Sequence, residues 1–407
     1  MENKKYLACF INSPDNNLNP LIVGNSLLIK KICENFEKIY IINFQNLTFF
    51  SNKTKFSKYK LDKNLKLPKN LEFISPFNWK EFSIFMVGKE LIAIHFLARG
   101  FPELKLHLLF KKYKIKFVQV TNIGNIQGVY RPLKSFFLRG VLEKIKHDYS
   151  HKLTVLLSNL GLIPKIEIRF VTNSRMFEYR KKNNSFFQKI FNYFNLHFAK
   201  ELMLINSRSF DEVKEQKIKV NEDNIVLLDA PFNNPQYTTF RGKLDQQSLE
   251  KHYYHMRKFL KNLSEFYNKQ IVICIHPSEN LETAKKNYSN FKVTQHETRE
   301  NIFKAFIVLF HDSSAIIDAI LLKKKIIALT SKIMDQNQID GVNEYSKKVG
   351  ILKIEIDEDL KINKDDFLSK LEKNKEKYFN YIKYNIAPDG NNFGYEKIIK
   401  TLKEKFF

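Results

Sequence analysis

The sequence predicts an α/β protein built from two doubly wound parallel-sheet domains, and three observations carry that expectation. First, Gln270 to Ser331 repeats strand, loop, helix and strand: apolar runs stand at Ile271–Ile275, Ala305–Phe310 and Ile326–Leu329, with Ile316, Ile317, Ala319 and Ile320 at helical spacing before the last. Second, residues 6–44 hold a shorter version of the same grammar. Third, 407 residues with 43% apolar content can fill two cores of roughly 200 residues each. The expected division is a first Rossmann-like domain over 1–210, a second over 211–386, and a C-terminal helix over 387–407 that crosses back to the first.

Taken in order, Tyr6–Ile11 reads as a strand, and Asn12 to Asn17 as a turn rich in Pro, Asp and Asn. Pro20 suits the first position of a helix running to about Phe36, with Leu21, Leu28, Ile32 and Phe36 on one face. A second strand follows at Ile39–Phe44. Thr48 to Lys80 is lysine-rich with little period and is assigned as loop. Order returns with an apolar run at Leu91–Phe96, a helix over Glu103–Tyr113 and a strand at Ile115–Val120, which ends in Thr121 to Gly128. The two glycines of that loop permit close backbone approach, without the spacing of a dinucleotide fingerprint or a P-loop.

Tyr130 to Lys200 is basic and aromatic. Within it, Phe187, Ile190, Phe191, Phe194 and Phe198 share one helical face beside Lys189 and Lys200. Such a helix suits either an anionic membrane surface or the domain core. Leu202–Asn206 is a short strand, Ser207–Asn224 a linker, and Ile225–Leu228 opens the second domain. A helix over Leu244–Asn268 buries Leu249, Tyr253, Met256, Leu260 and Leu263 on one face, with His252 and His255 near its start. Leu352, Ile354 and Ile356 alternate as a last strand. Asp365–Ile386 reads as a helix, broken at Ala387 to Asn392 and resuming over Tyr395–Lys405.

The net charge of +25, from 68 Lys and Arg against 43 Asp and Glu, favours a polyanionic partner. A compositional bias toward Lys, Asn and Ile accounts for it as well. Nucleic acid is not expected, because the aromatics gather on an apolar face and no nucleic-acid module signature occurs. Cys9, Cys33 and Cys274 follow no pairing or metal-ligand spacing and read as buried thiols. No segment reaches a membrane-spanning length, since Leu153–Pro164 is interrupted by Ser158, Asn159 and Gly161. The amino terminus lacks a secretion signal. The expected location is the cytoplasm, peripheral at the inner face of the membrane.

Candidate chemistry concentrates in polar loops after apolar runs. His276-Pro277-Ser278-Glu279 and His311-Asp312-Ser313-Ser314 leave two strands of one predicted sheet, so both should open on one edge, where parallel sheets bind ligands. A helix starting at Ser313 would offer unpaired N–H groups and hydroxyls to a phosphate, and His276 would add a donor. Asp229 heads the loop after Ile225–Leu228. In the first domain, Asp15 is the one carboxylate in the loop after the first strand, placed for a general base or for a turn cap. Asp357-Glu358-Asp359 has a metal-holding spacing but continues into a charged run, and reads as a solvated turn. No metal is expected.

The His276-Pro277 loop, the Asp312-Ser313-Ser314-Ala315 loop and the run Lys323 to Leu329 resemble the carboxyl-terminal half of GT-B glycosyltransferases of bacterial surface polysaccharide synthesis. They are similar to bacterial polysialyltransferases, capsule synthesis transferases and CDP-glycerol glycerophosphotransferases. Leu227 to Phe232 resembles the opening of that domain in related surface-carbohydrate proteins. The resemblance covers about residues 225–331, and the rest only in layout. It implies two Rossmann-like domains facing a cleft, with the acceptor held by the first and the donor by the second. It further implies that His276, Ser313 and Ser314 hold the phosphate of a CMP-, CDP- or UDP-linked donor, with Asp229, Pro277, Glu279 and Asp312 completing the set and no resident cofactor. The acidic pair followed by Gly that serves polysialyltransferases as base is missing, which leaves Asp15 as a positional candidate.

The function expected on these grounds is transfer of a sugar from a nucleotide donor to a growing glycan or lipid-linked acceptor of capsule or lipopolysaccharide, with His276 and Asp15 catalytic. The alternatives are transfer of a polyol phosphate and a non-catalytic nucleotide-sugar-binding role. A nucleotide-sugar 2-epimerase would need a carboxylate-rich site that the sequence does not display.

Overall fold

The computed structural model describes residues 5–11, 25–44, 47, 68–95, 104–121, 153–154, 156–174, 177, 199–216, 221–230, 232, 244–276, 279–311, 313–357 and 375–407. Asp15, Pro277, Asp312, the loop 122–128 and the helix expected over 187–198 lie outside them. The chain divides into two units, each built on one wholly parallel sheet. Each is a Rossmann-like α/β domain.

Unit 1 contains β1 (Lys5–Ile11), α1 (Ser26–Asn35), β2 (Ile39–Asn43), β3 (Leu71–Ile74), α2 (Trp79–Met86), β4 (Glu90–His95), α3 (Leu104–Lys112), β5 (Lys116–Thr121), β6 (Ile166–Val171) and β7 (Ala199–Leu204). Its sheet runs β3-β2-β1-β4-β5-β6-β7. The central strands are apolar on both faces because helices cover both. Leu28, Ile32 and Phe36 lie with Leu7, Cys9 and Ile41 on one side, whereas Phe82, Met86, Leu106 and Phe110 lie with Ala8, Phe10 and Phe117 on the other.

Several sequence expectations need correction here. Leu71–Ile74 is a strand inside the stretch assigned as loop, and Trp79–Met86 is a helix that begins at its end. The strand has four residues at the sheet edge, so one buried neighbour suffices and no long period develops. The helix is capped by Asn78, whose side chain accepts from Glu81 N at 2.9 Å. β6 was hidden in the basic stretch because its polar members, Glu167 and Arg169, interrupt the apolar run. β7 begins at Ala199 and ends at Leu204, earlier than expected, and the presumed linker holds α4 (Arg208–Glu215).

Unit 2 spans Glu212–Ile386 among its described residues. It contains β8 (Asn224–Leu228), α5 (Gln246–Tyr267), β9 (Gln270–Ile275), α6 (Leu281–Asn287), β10 (Lys292–Gln295), α7 (Thr298–Phe303), β11 (Ala305–Phe310), α8 (Ile316–Leu321), β12 (Lys325–Thr330), α9 (Gln336–Val349), β13 (Leu352–Glu355) and α10 (Lys375–Tyr381), which continues as a π-helical turn over Ile382–Ile386. The sheet order is β10-β9-β8-β11-β12-β13. α5 starts on an Asp245 cap and stops at Asn268, whose φ of 49° turns the chain out of the helix. It buries Tyr253, Met256, Leu260 and Leu263 as the spacing predicts, and adds His252 and Phe259. α6, β10 and α7 fill a stretch for which the sequence offered no assignment.

The segment Ala387–Phe407 belongs to unit 1 and ends in α11 (Gly394–Phe406). Ile398, Ile399, Leu402 and Phe406 join the core on the α1 side of the sheet. Asn206, almost fully buried, donates to the carbonyls of Gly390 and Asn392 at 2.8 and 2.7 Å and accepts from Asp389 N at 2.8 Å. Asp211 caps the helix from outside it, accepting from Gly394 N at 2.7 Å and Tyr395 N at 3.0 Å. A Cβ on Gly394 would stand 2.5 Å from the Asn206 carbonyl oxygen, so only glycine permits this approach.

Candidate functional site

Because every strand of the six-stranded sheet points the same way, the residues that follow the strands share its carboxyl edge. Asp229 follows β8, His276 follows β9, His311 to Ser314 follow β11, Ser331 follows β12, and Asp357 lies just beyond β13. β8 and β11 are hydrogen-bonded neighbours, and the connections leave them toward opposite sides of the sheet. Their carboxyl ends therefore form the switch point at which open parallel sheets bind ligands. Asp229 N donates to the Cys274 carbonyl at 3.0 Å, extending the β8–β9 pairing up to the site.

The loop after β9 is held by its own backbone and by a neighbour. Glu279 N donates to the His276 carbonyl at 2.9 Å, and the Gln295 side-chain amide donates to the Glu279 carbonyl at 2.9 Å. Asn280 then caps α6, accepting from Thr283 N at 2.9 Å. His276 is exposed at the strand end, and its imidazole pKa is lowered by desolvation. It therefore meets a ligand chiefly as a neutral hydrogen-bonding group.

The loop after β11 differs from expectation. The helix begins at Ile316, three residues later than Ser313, and has six residues. Ser313 and Ser314 form the turn ahead of it: Ser313 Oγ accepts from Ala315 N at 3.4 Å, and the carbonyls of Ser313 and Ser314 each accept a hydrogen bond at 3.3 Å. The delay follows from Ser313, whose hydroxyl competes for the N–H that would otherwise start the helix. So short a helix has a weak dipole, and polar contacts at this loop come mainly from the serine hydroxyls. The turn is fixed from behind by Arg299, which donates to Asp318 Oδ2 at 2.9 Å and to Glu212 Oε2. Both carboxylates are buried, so this pair resists screening.

Beneath the loops lies a layer of buried polar groups. Asp229 Oδ1 accepts from Ala230 N at 3.0 Å, while Oδ2 is buried without a partner. The Tyr288 hydroxyl is directed at this carboxyl without reaching standard hydrogen-bond geometry, and Glu279 turns one carboxyl oxygen inward, also unpartnered. Burial raises the pKa of Asp229 and, more strongly helped by the neighbouring charge, that of Glu279. Burial and the coupling between them hold these two acids back from ionising together.

On the other side of Asp229, Phe232 lies between two buried histidines, 4.9 Å from His252 and 5.4 Å from His311 between ring centroids. His311 Nδ1 stands 3.3 Å from the Leu329 carbonyl, which can only accept, so Nδ1 carries the proton. His252 Nδ1 stands 3.0 Å from Ser331 Oγ, whose own hydrogen is directed to Asp357 Oδ1 at 3.3 Å. Both Nε2 atoms are therefore acceptors, and both are buried without partners. Desolvation lowers each imidazole pKa to about 3, which keeps the pair neutral.

The structure thus places Asp229, His276, Glu279, Ser313 and Ser314 on one sheet edge of unit 2. Asp357 departs from its reading as part of a solvated turn: it accepts from Ser331 Oγ and, at 2.5 Å, from Lys332 N, joining β12 to β13. Ser331 and Tyr288 were not singled out from the sequence, and His311, quoted there in the loop after β11, was given no role of its own. His311 had a readable signal, since it directly follows the apolar run of β11. Tyr288 and Ser331 had none, because their roles depend on groups far along the chain.

No protein-family model matches this chain, and no curated protein sequence does. Its fold does match solved structures. A variant of the wall teichoic acid polymerase TagF superposes with a TM-score of 0.50 at 12% identity, covering 99% of this chain and 89% of that one. A Methanocaldococcus jannaschii UDP-GlcNAc 2-epimerase in complex with UDP-GlcNAc and UDP gives 0.47 at 15% identity over 98% and 100%. The S. aureus MnaA–UDP structure gives 0.49 at 12% over 98% and 96%. At 12% identity the TagF match shows the fold alone: two Rossmann-like domains of the GT-B class.

Proposed function

We propose that the protein is a glycosyltransferase that takes a sugar from a nucleotide-activated donor, bound by unit 2, and passes it to a bacterial surface glycan or its lipid-linked precursor. The observation that carries this reading is the row of Asp229, His276 and Ser313–Ser314 along the carboxyl edge of one parallel sheet, at its switch point. His276, exposed and largely neutral, donates a hydrogen bond to a donor phosphate oxygen. The hydroxyls of Ser313 and Ser314 add further donors. Charge grows on that phosphate as the glycosidic bond to the nucleotide breaks, and donors already in position stabilise it. The acceptor hydroxyl loses its proton during attack, a step assigned to Asp15 in the loop after β1. The protein would act at the inner face of the membrane, where lipid-linked acceptors reside.

The fold likeness to a teichoic acid polymerase favours one second reading, transfer of a polyol phosphate from a CDP-linked donor. Product mass separates the two, since only that reaction adds phosphorus to the acceptor. The site itself is tested by nucleotide binding. His276→Ala and the Ser313→Ala/Ser314→Ala pair should each weaken affinity for a CMP-, CDP- or UDP-linked ligand by about tenfold or more, the loss of one good polar contact. Unchanged affinity in both variants overturns the assignment.

A further inference from the structure

One face of unit 1 carries apolar side chains that stay exposed among the described residues. α2 and α3 lie side by side on the same side of the sheet, bridged by Lys105, whose ammonium stands 4.7 Å over the Trp79 ring. The helical residues 156–159 and the turn after them adjoin α3, where Lys111 Nζ donates to the Gly161 carbonyl. Along this surface Phe77 is 67% exposed, Ile84 63%, Val87 67% and Leu160 60%, with Leu108 and Leu162 near half. Lys80, Ile84 and Val87 recur at helical spacing, as do Lys105, Leu108 and Lys112, so apolar and cationic groups alternate on outward faces. Phe82, Met86, Leu106 and Phe110 already fill the inward faces. The exposed set is thus surplus to folding.

Charge selects the occupant. Residues 77–90, 104–114 and 156–165 hold seven lysines against two glutamates, and Glu81 is engaged by Phe77 N at 2.8 Å. Lysines ringing exposed aliphatic and aromatic groups match an anionic surface with an apolar layer just beneath it. We propose that the outer face of α2, α3 and the Leu160–Leu162 turn is a docking surface for an anionic lipid bilayer. Phe77, Ile84, Val87 and Leu160 enter the headgroup boundary while the lysine stems reach along it and keep their ammonium groups at lipid phosphates. This surface lies wholly in unit 1, apart from the basic aromatic stretch 187–198, and it stands whether or not unit 2 binds a nucleotide.

The test is co-sedimentation of the full chain with vesicles of phosphatidylcholine, with and without about one third phosphatidylglycerol. The parent protein should bind the anionic vesicles and lose that binding in high salt. Ile84→Asp/Val87→Asp/Leu160→Asp should lower the partition coefficient at least tenfold. Lys80→Ala/Lys112→Ala, which leaves the apolar groups in place, should lower it more than tenfold, at roughly fivefold per lysine. Nucleotide affinity and melting temperature should stay at the parent values in both. Failure of the parent to bind, vesicle binding in the variants equal to the parent's, or variants that change only self-association on a sizing column would each overturn the proposal, the last by identifying a protein contact.

Discussion

Asp229 and Glu279 carry ordinary acid groups into a place that disfavours their charge. Burial raises Asp229 to about 7, and burial together with the neighbouring Asp229 charge raises Glu279 to about 8, well above a carboxylate in water. The sign follows directly. A carboxyl whose folded pKa is raised holds its proton more tightly in the folded state, so its contribution is complete in acid and is lost as pH rises through the folded value. These carboxyls should therefore cost unit 2 stability as pH rises from about 4, the ordinary carboxylate value, to about 8, with no further loss above the folded values. Glu279→Gln removes one of the two charges and should flatten that dependence, read from urea midpoints across the range. An unchanged slope would show that Glu279 does not carry this dependence. His252 and His311 act oppositely: held at about 3 in the folded state, they add stability as pH rises from about 3 through the ordinary imidazole value near 6.5, so only the slope above about pH 7 belongs to the carboxyls alone. At this scale the sequence was informative about residues that stand directly after strands, such as His276 and Asp229. It was silent on Tyr288, whose hydroxyl matters only because the fold brings it to Asp229 from 59 positions away.

At the scale of elements, the parallel core strands were legible because they are buried on both faces and so read as unbroken apolar runs. β3 and β6 escaped notice for the converse reason. β3 is a four-residue edge strand, and β6 holds Glu167 and Arg169 as its second and fourth residues. Arg169 is nonetheless buried, with Nη2 3.4 Å from Thr121 Oγ1, a contact between β6 and β5 that no local pattern announces. The capping of α11 is another such case. Asp211→Ala removes two charge-assisted hydrogen bonds to buried N–H groups and should destabilise unit 1 by about 2–3 kcal/mol. Gly394→Ala forces the backbone away from the Asn206 carbonyl and should lower stability in the same direction. Chemical denaturation measures both, and a midpoint equal to the parent's for Asp211→Ala would show that α11 does not depend on this cap.

For the whole molecule, a ligand that binds the folded protein shifts its unfolding by mass action, about 2.7 kcal/mol at one hundred times the dissociation constant. A thermal-shift screen of CMP, CDP, UDP and their sugar conjugates should therefore find one pyrimidine series that raises the transition, and His276→Ala should abolish most of that rise. A flat response to all of them would count against a nucleotide donor. What the sequence by itself determined is the architecture, two αβ domains with parallel sheets, because alternating apolar runs and amphipathic helices are local patterns that survive in one dimension. Only the tertiary structure decided that Asp229, Glu279 and Tyr288 form one buried polar cluster and that His252 and His311 face the same phenylalanine. Those meetings depend on strand order and on which face each helix covers, quantities set by packing across hundreds of residues rather than by any neighbour in the chain.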